Sequence, residues 1–305
     1  FRPGVMERLG LGPEVLCALN PKLIYARMTG FGQGGEGKVE KAAGHDINYI
    51  AVTGILSALR RAGESPQPPI NLLGDFAGGG LMCALGILLA IIERTRSGKG
   101  QVIDAAMVDG ASYVSQFIVR GIELGQIKNS LDGVGTNLLD GGAHFYGTYT
   151  CKDGKHFSVG AIEPQFYKLL LEGMGLDPKR DGLPRQMDTA QWPAMKSRFA
   201  DIFKTKTRDE WAAIFDGTDA CAFPVLDLAE AREYAHNQKR GTFVKNGDSS
   251  SMFEARPAPV LMRTPGLTGG KTPDPGANTE EILRDFGVDK SKIADLLSKK
   301  VVAKL

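Results

Sequence analysis

Two stretches, Gly44-His45-Asp46-Ile47-Asn48-Tyr49 and Asn71-Leu72-Leu73-Gly74-Asp75-Phe76-Ala77-Gly78-Gly79-Gly80, organise the reading of this chain. The second opens an apolar helical pattern that runs to about Arg94. Gly98 to Gly100 turn the chain, Gln101-Val102-Ile103-Asp104 reads as a short strand, and residues 105–119 read as a helix. Upstream, residues 23–27 form a compact apolar run, expected to be a buried strand. Strand, helix, strand, helix at this spacing predicts an α/β fold with a parallel sheet.

Asp75 stands where that long helix starts, so its carboxylate is expected to cap the free N–H groups of the first turn. The glycines at 78, 79 and 80 each cost roughly 1 kcal/mol against Ala in a helix. Such a run is expected where something must approach the backbone closely; tight packing on a neighbouring helix is the bland alternative.

Composition narrows the classes. The chain has 305 residues, 42% hydrophobic and 24% charged, enough for one large or two moderate domains. A net charge of +2 gives no reason to expect nucleic acid as a partner. The apolar run 81–92 is interrupted by Gly86 and closed by Glu93-Arg94, and is expected to be a buried helix with no membrane span. Cys17, Cys83, Cys151 and Cys221 are widely spaced, which argues against a zinc site or disulfide framework and for a reducing compartment. The glycine-rich stretch 29–37 follows a strand but is not read as a dinucleotide fingerprint. The helical pattern after it is weak, and no acid for a ribose stands about 20 residues on.

The expected boundaries are a large domain over 1–123, a linker over 124–142, a small α+β domain over 143–240, a linker over 241–258, and C-terminal helices over 259–305 that return to the large domain. Residues 143–159 read as a hairpin turning at Lys152-Asp153-Gly154. Residues 192–203 and 208–215 read as amphipathic helices, the second with a Thr207–Glu210 capping box. Thr279 is expected to cap a helix stopped by Gly287, with another over 291–297. The chain starts at Phe1-Arg2-Pro3, without Met, and is expected to be a fragment or a processed chain. Its end, Ala303-Lys304-Leu305, matches the small-basic-Leu peroxisomal address and so predicts a peroxisomal import receptor as partner.

Of the histidines at 45, 144, 156 and 236, only His45 follows a Gly and precedes a carboxylate. An imidazole there suits a general base. A carboxylate at a helix tip has a stabilised charge, and the amides beside it are expected to hold a developing oxyanion. Glu163, before Pro164 at a strand end, is placed to orient and charge-stabilise the imidazole, or simply to open a helix.

The blocks 44–49, 72–80, 98–106, 139–143, 160–166 and 216–221 together resemble the α-methylacyl-CoA racemases of the family III CoA-transferase superfamily. The resemblance covers nearly the whole chain, and the His45 block separates the racemases from the true transferases. It implies a large Rossmann-like parallel-sheet domain with a smaller α+β domain, assembled as an interlocked homodimer with shared active sites. It also implies a preceding βαβ segment that this sequence does not contain. The implied activity is 1,1-proton transfer at C2 of 2-methyl-branched acyl-CoA, in branched fatty acid and bile-acid metabolism, without metal or organic cofactor. By resemblance, His45 and Asp75 are the opposed acid/base groups and Glu163 is the partner of His45. Arg2 and Arg8 would contact CoA phosphate, and Gly44, Asp46, Ile47, Asn48 and Tyr49 would contact substrate. The implied location is the peroxisome, with the mitochondrion as a second address. The alternative is CoA transfer with Asp75 as nucleophile; a non-catalytic CoA-binding role is a third reading.

Overall fold

The computed structural model describes residues 1–245, 253–268, 270 and 273–303. They form two compact units, Phe1–Val225 and Leu226–Leu305.

The first unit opens with the short helices α1 (Val5–Arg8) and α2 (Pro13–Leu19), followed by strand β1 (Tyr25–Thr29). A 2.8 Å ion pair between Glu7 and Arg27 ties α1 to β1. Then come α3 (Gly37–Glu40), α4 (Asp46–Val52), α5 (Ile55–Ala58), a π-helix (Leu72–Leu81) and α6 (Met82–Ser97), which continues the π-helix without a break. Gly98, at φ 74°, ends α6. Strand β2 (Val102–Ala106) pairs parallel with β1, Tyr25 opposite Val102 and Thr29 opposite Ala106. The expected parallel α/β arrangement is therefore present, but β1 is not the buried strand expected: its residues alternate between half-buried and exposed up to a buried Thr29. β2 is its only paired neighbour among the described residues.

The helix expected over 105–119 is two helices, α7 (Met107–Val114) and α8 (Gln116–Glu123), broken at the buried Ser115. Gly78 and Gly79 serve packing, whereas Gly80 is exposed. A Cβ on Gly78 would lie 2.4 Å from the Ala111 nitrogen, and one on Gly110 would lie 1.9 Å from the Gly78 carbonyl oxygen. Two backbones meet there, so the residues closing on Gly78 belong to α7 and not to a substrate.

The apolar run also differs from expectation. The π-helix and α6 together make a helix of 26 residues, long and apolar enough to cross a bilayer by length and composition alone. That is weak evidence, because core helices of soluble proteins pass the same test. One side packs on α7 and β2, and a Cβ on Gly86 would lie 3.2 Å from the Ile103 side chain of β2. The other side is exposed: Leu81, Leu88, Leu89 and Ile92 each retain more than half their accessible surface. The run is therefore not the buried helix expected, because no described residue of the first unit covers its outer face.

The antiparallel part of this unit holds the denser core. Strands β3 (Tyr146–Thr150), β4 (His156–Gly160) and β5 (Ala222–Pro224) form one sheet in that order, with Thr150 opposite His156 across the expected hairpin. Helices α9 (Pro164–Gly173), α10 (Trp192–Phe203) and α11 (Arg208–Phe215) pack with it. Phe145, Phe157, Phe199, Phe203 and Trp211 are sealed from solvent. The expected capping box is formed: the Glu210 N–H donates to Thr207 Oγ1, and the Thr207 N–H donates to Glu210 Oε2.

His144 sits in this core, 1% exposed, with Tyr167 Oη 2.8 Å from its Nε2 and no partner for Nδ1. Burial pushes its pKa down from 6.5 to about 4. The folded protein thus keeps the ring neutral while an unfolded chain takes up a proton below pH 6.5. This contribution is complete above pH 6.5, declines as pH falls and is exhausted near pH 4. The expected loss across that window is about 3 kcal/mol. Urea titrations at neutral and acidic pH should show it, and His144→Gln should flatten that limb.

The second unit contains α12 (Leu228–Glu233), α13 (Ala235–Arg240), the antiparallel pair β6 (Phe243–Lys245) and β7 (Phe253–Ala255), α14 (Thr279–Asp285) and α15 (Lys290–Ser298). β6 and β7 fall within the stretch expected to be a linker, of which residues 246–252 lie outside the described residues. Thr279 does not cap α14. Asn278 holds that position, and the Thr279 hydroxyl donates to the Ala303 carbonyl. Lys304 and Leu305 of the expected import signal lie outside the described residues.

Candidate active site

The turn carrying His45 and the helix carrying Asp75 are fastened together by one carboxylate. Asp46, the first residue of α4, is fully buried. Its Oδ2 accepts N–H groups from both Gly74, at 2.5 Å, and Asp75, at 2.9 Å. The carboxylate that caps this helix start is therefore Asp46's, not Asp75's as expected. Asp75 lies one turn inside the π-helix, and the amides expected to receive an oxyanion are already occupied.

The α4 turn is braced from within. Tyr49 is 8% exposed, and its hydroxyl donates to the Gly44 carbonyl. Phe31 meets its ring edge-on at 5.0 Å between centroids. A Cβ on Gly44 would lie 2.7 Å from the Tyr49 ring, so this turn requires glycine. Burial, and then the nearby Asp75 charge, raise the Tyr49 pKa, while Arg2 opposes the shift. Asn48 Oδ1 accepts the His45 N–H at 3.1 Å. Asp46 and Tyr49 were expected to touch substrate, but they turn inward as supports. His45, Ile47 and Asn48 stay exposed, and Gly44 and Asp75 are half-buried.

Asn71 is a participant that sequence reasoning passed over. Its Nδ2 donates to Asp75 Oδ2 at 2.9 Å. Both Ile70, at φ 51°, and Asn71, at φ 59°, are left-handed. Non-glycine residues hold that conformation at a cost, and it recurs where a side chain must be aimed. An Asn four residues before the acid was the available signal.

The remaining expected residues divide. Arg2 reaches the same neighbourhood, donating to the Lys41 carbonyl at 3.2 Å. Arg8 lies exposed at the end of α1. Glu163 precedes α9, exposed, with Pro164 at the first helical position. No hydrogen bond or ion pair links it to His45 among the described residues. Its electrostatic neighbour is Cys221, whose thiol pKa is raised by burial first and by the Glu163 charge second. Cys221 is itself left-handed, at φ 49°.

A cavity of about 570 Å³ lies beyond the end of α4, between α5, α8 and the segment 126–140. Leu59, Phe117, Ile118, Ile127 and Leu138 line it, with Arg61 at its edge. His45 and Asp75 do not line it.

This fold and this pairing of a glycine turn with a glycine-rich helix define the class. The chain belongs to the CoA-transferase family III, whose family profile matches residues 1–279. Within it, the chain is 53% identical to mouse alpha-methylacyl-CoA racemase over 303 residues, 99% of this chain and 77% of that protein. It is 52% identical to the human alpha-methylacyl-CoA racemase over 304 residues, again 99% and 77% of the two chains. Among solved structures, a CaiB/BaiF family protein from Brucella suis superposes with a TM-score of 0.74 at 24% identity, covering 95% of this chain and 74% of that one.

Proposed function

We propose that this protein is an isomerase that inverts C2 of 2-methyl-branched acyl-CoA thioesters by proton transfer. One group of the His45–Asp75 pair removes the α-proton, and the electron pair moves onto the thioester oxygen. The other group then delivers a proton to the opposite face of C2. Running the reaction backwards exchanges their roles. The observation that carries this reading is the Asp46 bridge, which joins the first turn after His45 to the backbone of Asp75 itself. The similarity to the two mammalian racemases supports the same reading and supplies the substrate class.

The enolate oxygen needs donors. Gly74 and Asp75 are committed to Asp46, whereas the Asp46 and Ile47 amides beside His45 have no acceptor among the described residues. Those two amides are the better candidates. The apolar cavity beside α5 suits a branched acyl chain. Arg2 and Arg8 would take the CoA phosphates, and Gly44, Ile47 and Asn48 would contact the substrate. The chemistry of this pair calls for no metal or organic cofactor.

The reading extends to assembly and place. A second copy of the chain would cover the exposed apolar side of the π-helix and α6, and its Glu163 would then reach His45 across the interface. The substrates would come from branched fatty acid and bile-acid metabolism. Import through Ala303-Lys304-Leu305 would place the enzyme in the peroxisome, with the mitochondrion as a second site.

Incubation with 2-methylacyl-CoA in D2O tests the activity. Deuterium should enter C2 while the thioester stays intact. Family membership keeps CoA transfer as the rival, with the Asp75 carboxylate attacking the thioester carbonyl, the C–S bond breaking to release CoA thiolate, and a mixed anhydride left on Asp75. Trapping at Asp75 by hydroxylamine, without deuterium at C2, would establish that rival.

A further inference from the structure

We infer that the Asp46 side chain is a positioning group that sets the placement of Asp75 relative to His45, without itself touching substrate. The inference rests on the proton-transfer reading above and specifies what holds the two groups in register. Asp46 is sequence neighbour to one of them and hydrogen-bonded to the backbone of the other. Its side chain is fully buried, so it belongs to the wall behind the site. Both N–H bonds converge on Oδ2, while Oδ1 is buried without a partner among the described residues. A carboxylate only half satisfied in a buried place is costly and is retained where it serves geometry.

The surroundings are shaped to this carboxylate. A Cβ on Gly74 would stand 2.9 Å from Asp46 Oδ2 and 3.0 Å from its Cγ, so glycine alone lets the acid lie on the Gly74–Asp75 peptide. Asn71 holds the Asp75 carboxylate from the other end. Asp75 is thereby fixed at two points, its backbone by Asp46 and its side chain by Asn71. Removing the Asp46 anchor frees the backbone, and displacements near 1 Å cost on the order of 10²-fold in a proton-transfer rate.

The test uses Asp46→Ala, Asp46→Asn and Gly74→Ala in the full chain, with each enantiomer of 2-methylacyl-CoA separately in D2O. Asp46→Ala should lower kcat on the order of 10²-fold with KM nearly unchanged. Inversion should slow equally in both directions, as a fixed equilibrium constant requires, whereas the loss of α-proton washout should fall chiefly on the enantiomer whose proton Asp75 removes. Asp46→Asn keeps an acceptor oxygen for the two N–H groups and should recover most of the rate. Gly74→Ala, which displaces the acid without removing it, should reproduce the Ala pattern and serves if Asp46→Ala does not fold. Equal loss of α-proton washout for both enantiomers accompanied by a lower Tm, or full activity in Asp46→Ala, would overturn the inference. Absence of exchange in the native protein would instead overturn the underlying reading.

Discussion

Asp75→Asn should abolish inversion at C2 while acyl-CoA binding stays close to that of the native protein. The substitution keeps size and shape and removes only the ability to take and return a proton. Loss of a positioned acid/base group costs about 10²–10⁴-fold. His45→Ala should cost a similar factor through the opposite face. Because both groups are needed for one inversion, the double variant should be little worse than either single one, as for groups acting as a unit. Racemisation followed by chiral chromatography of the hydrolysed acid measures all three. Normal inversion by Asp75→Asn would remove this carboxylate from the mechanism.

The second large effect concerns the scaffold. Gly110→Ala should destabilise the first unit by about 3 kcal/mol, the upper part of the range for overpacking. The added methyl would lie 1.9 Å from the Gly78 carbonyl oxygen and 2.6 Å from its carbon. Both atoms are backbone, so no rotamer change relieves the clash, and the π-helix must move away from α7. Since Asp75 rides on that π-helix, activity should fall along with stability. Gly80→Ala is the control: the nearest atom to its Cβ is the Asp75 carbonyl oxygen at 3.7 Å. There the usual gain in helix propensity should appear as unchanged or slightly raised stability. Urea unfolding of the two variants separates packing from propensity.

Features encoded locally were legible in the sequence. The helices Trp192–Phe203 and Arg208–Phe215 lie where their apolar spacing puts them, and the Thr207–Glu210 box spans only three residues. The hairpin follows for the same reason, and the parallel strand pair follows from the strand–helix–strand alternation. What escaped depends on distant partners. The helix cap at Gly74 and Asp75 comes from Asp46, a residue 28 and 29 positions away. The glycine at 78 answers to the glycine at 110, and neither alone distinguishes packing from substrate approach. The exposure of Leu81, Leu88 and Ile92 depends on what covers α6, which lies beyond any pattern in the helix itself. At the candidate site, His45 and Asp75 were singled out by residue type and glycine context, and the structure joins their supporting elements through Asp46. Asn71 was missed because its role follows from a left-handed backbone.

The most direct measurement separates the two faces of C2. Each pure enantiomer of 2-methylacyl-CoA is incubated in D2O with His45→Ala and with Asp75→Asn, and loss of its α-proton is followed by NMR. If the two groups stand on opposite faces, each variant should wash out the proton of one enantiomer only, and the two variants should choose opposite enantiomers. A variant that exchanges both enantiomers equally would contradict the account.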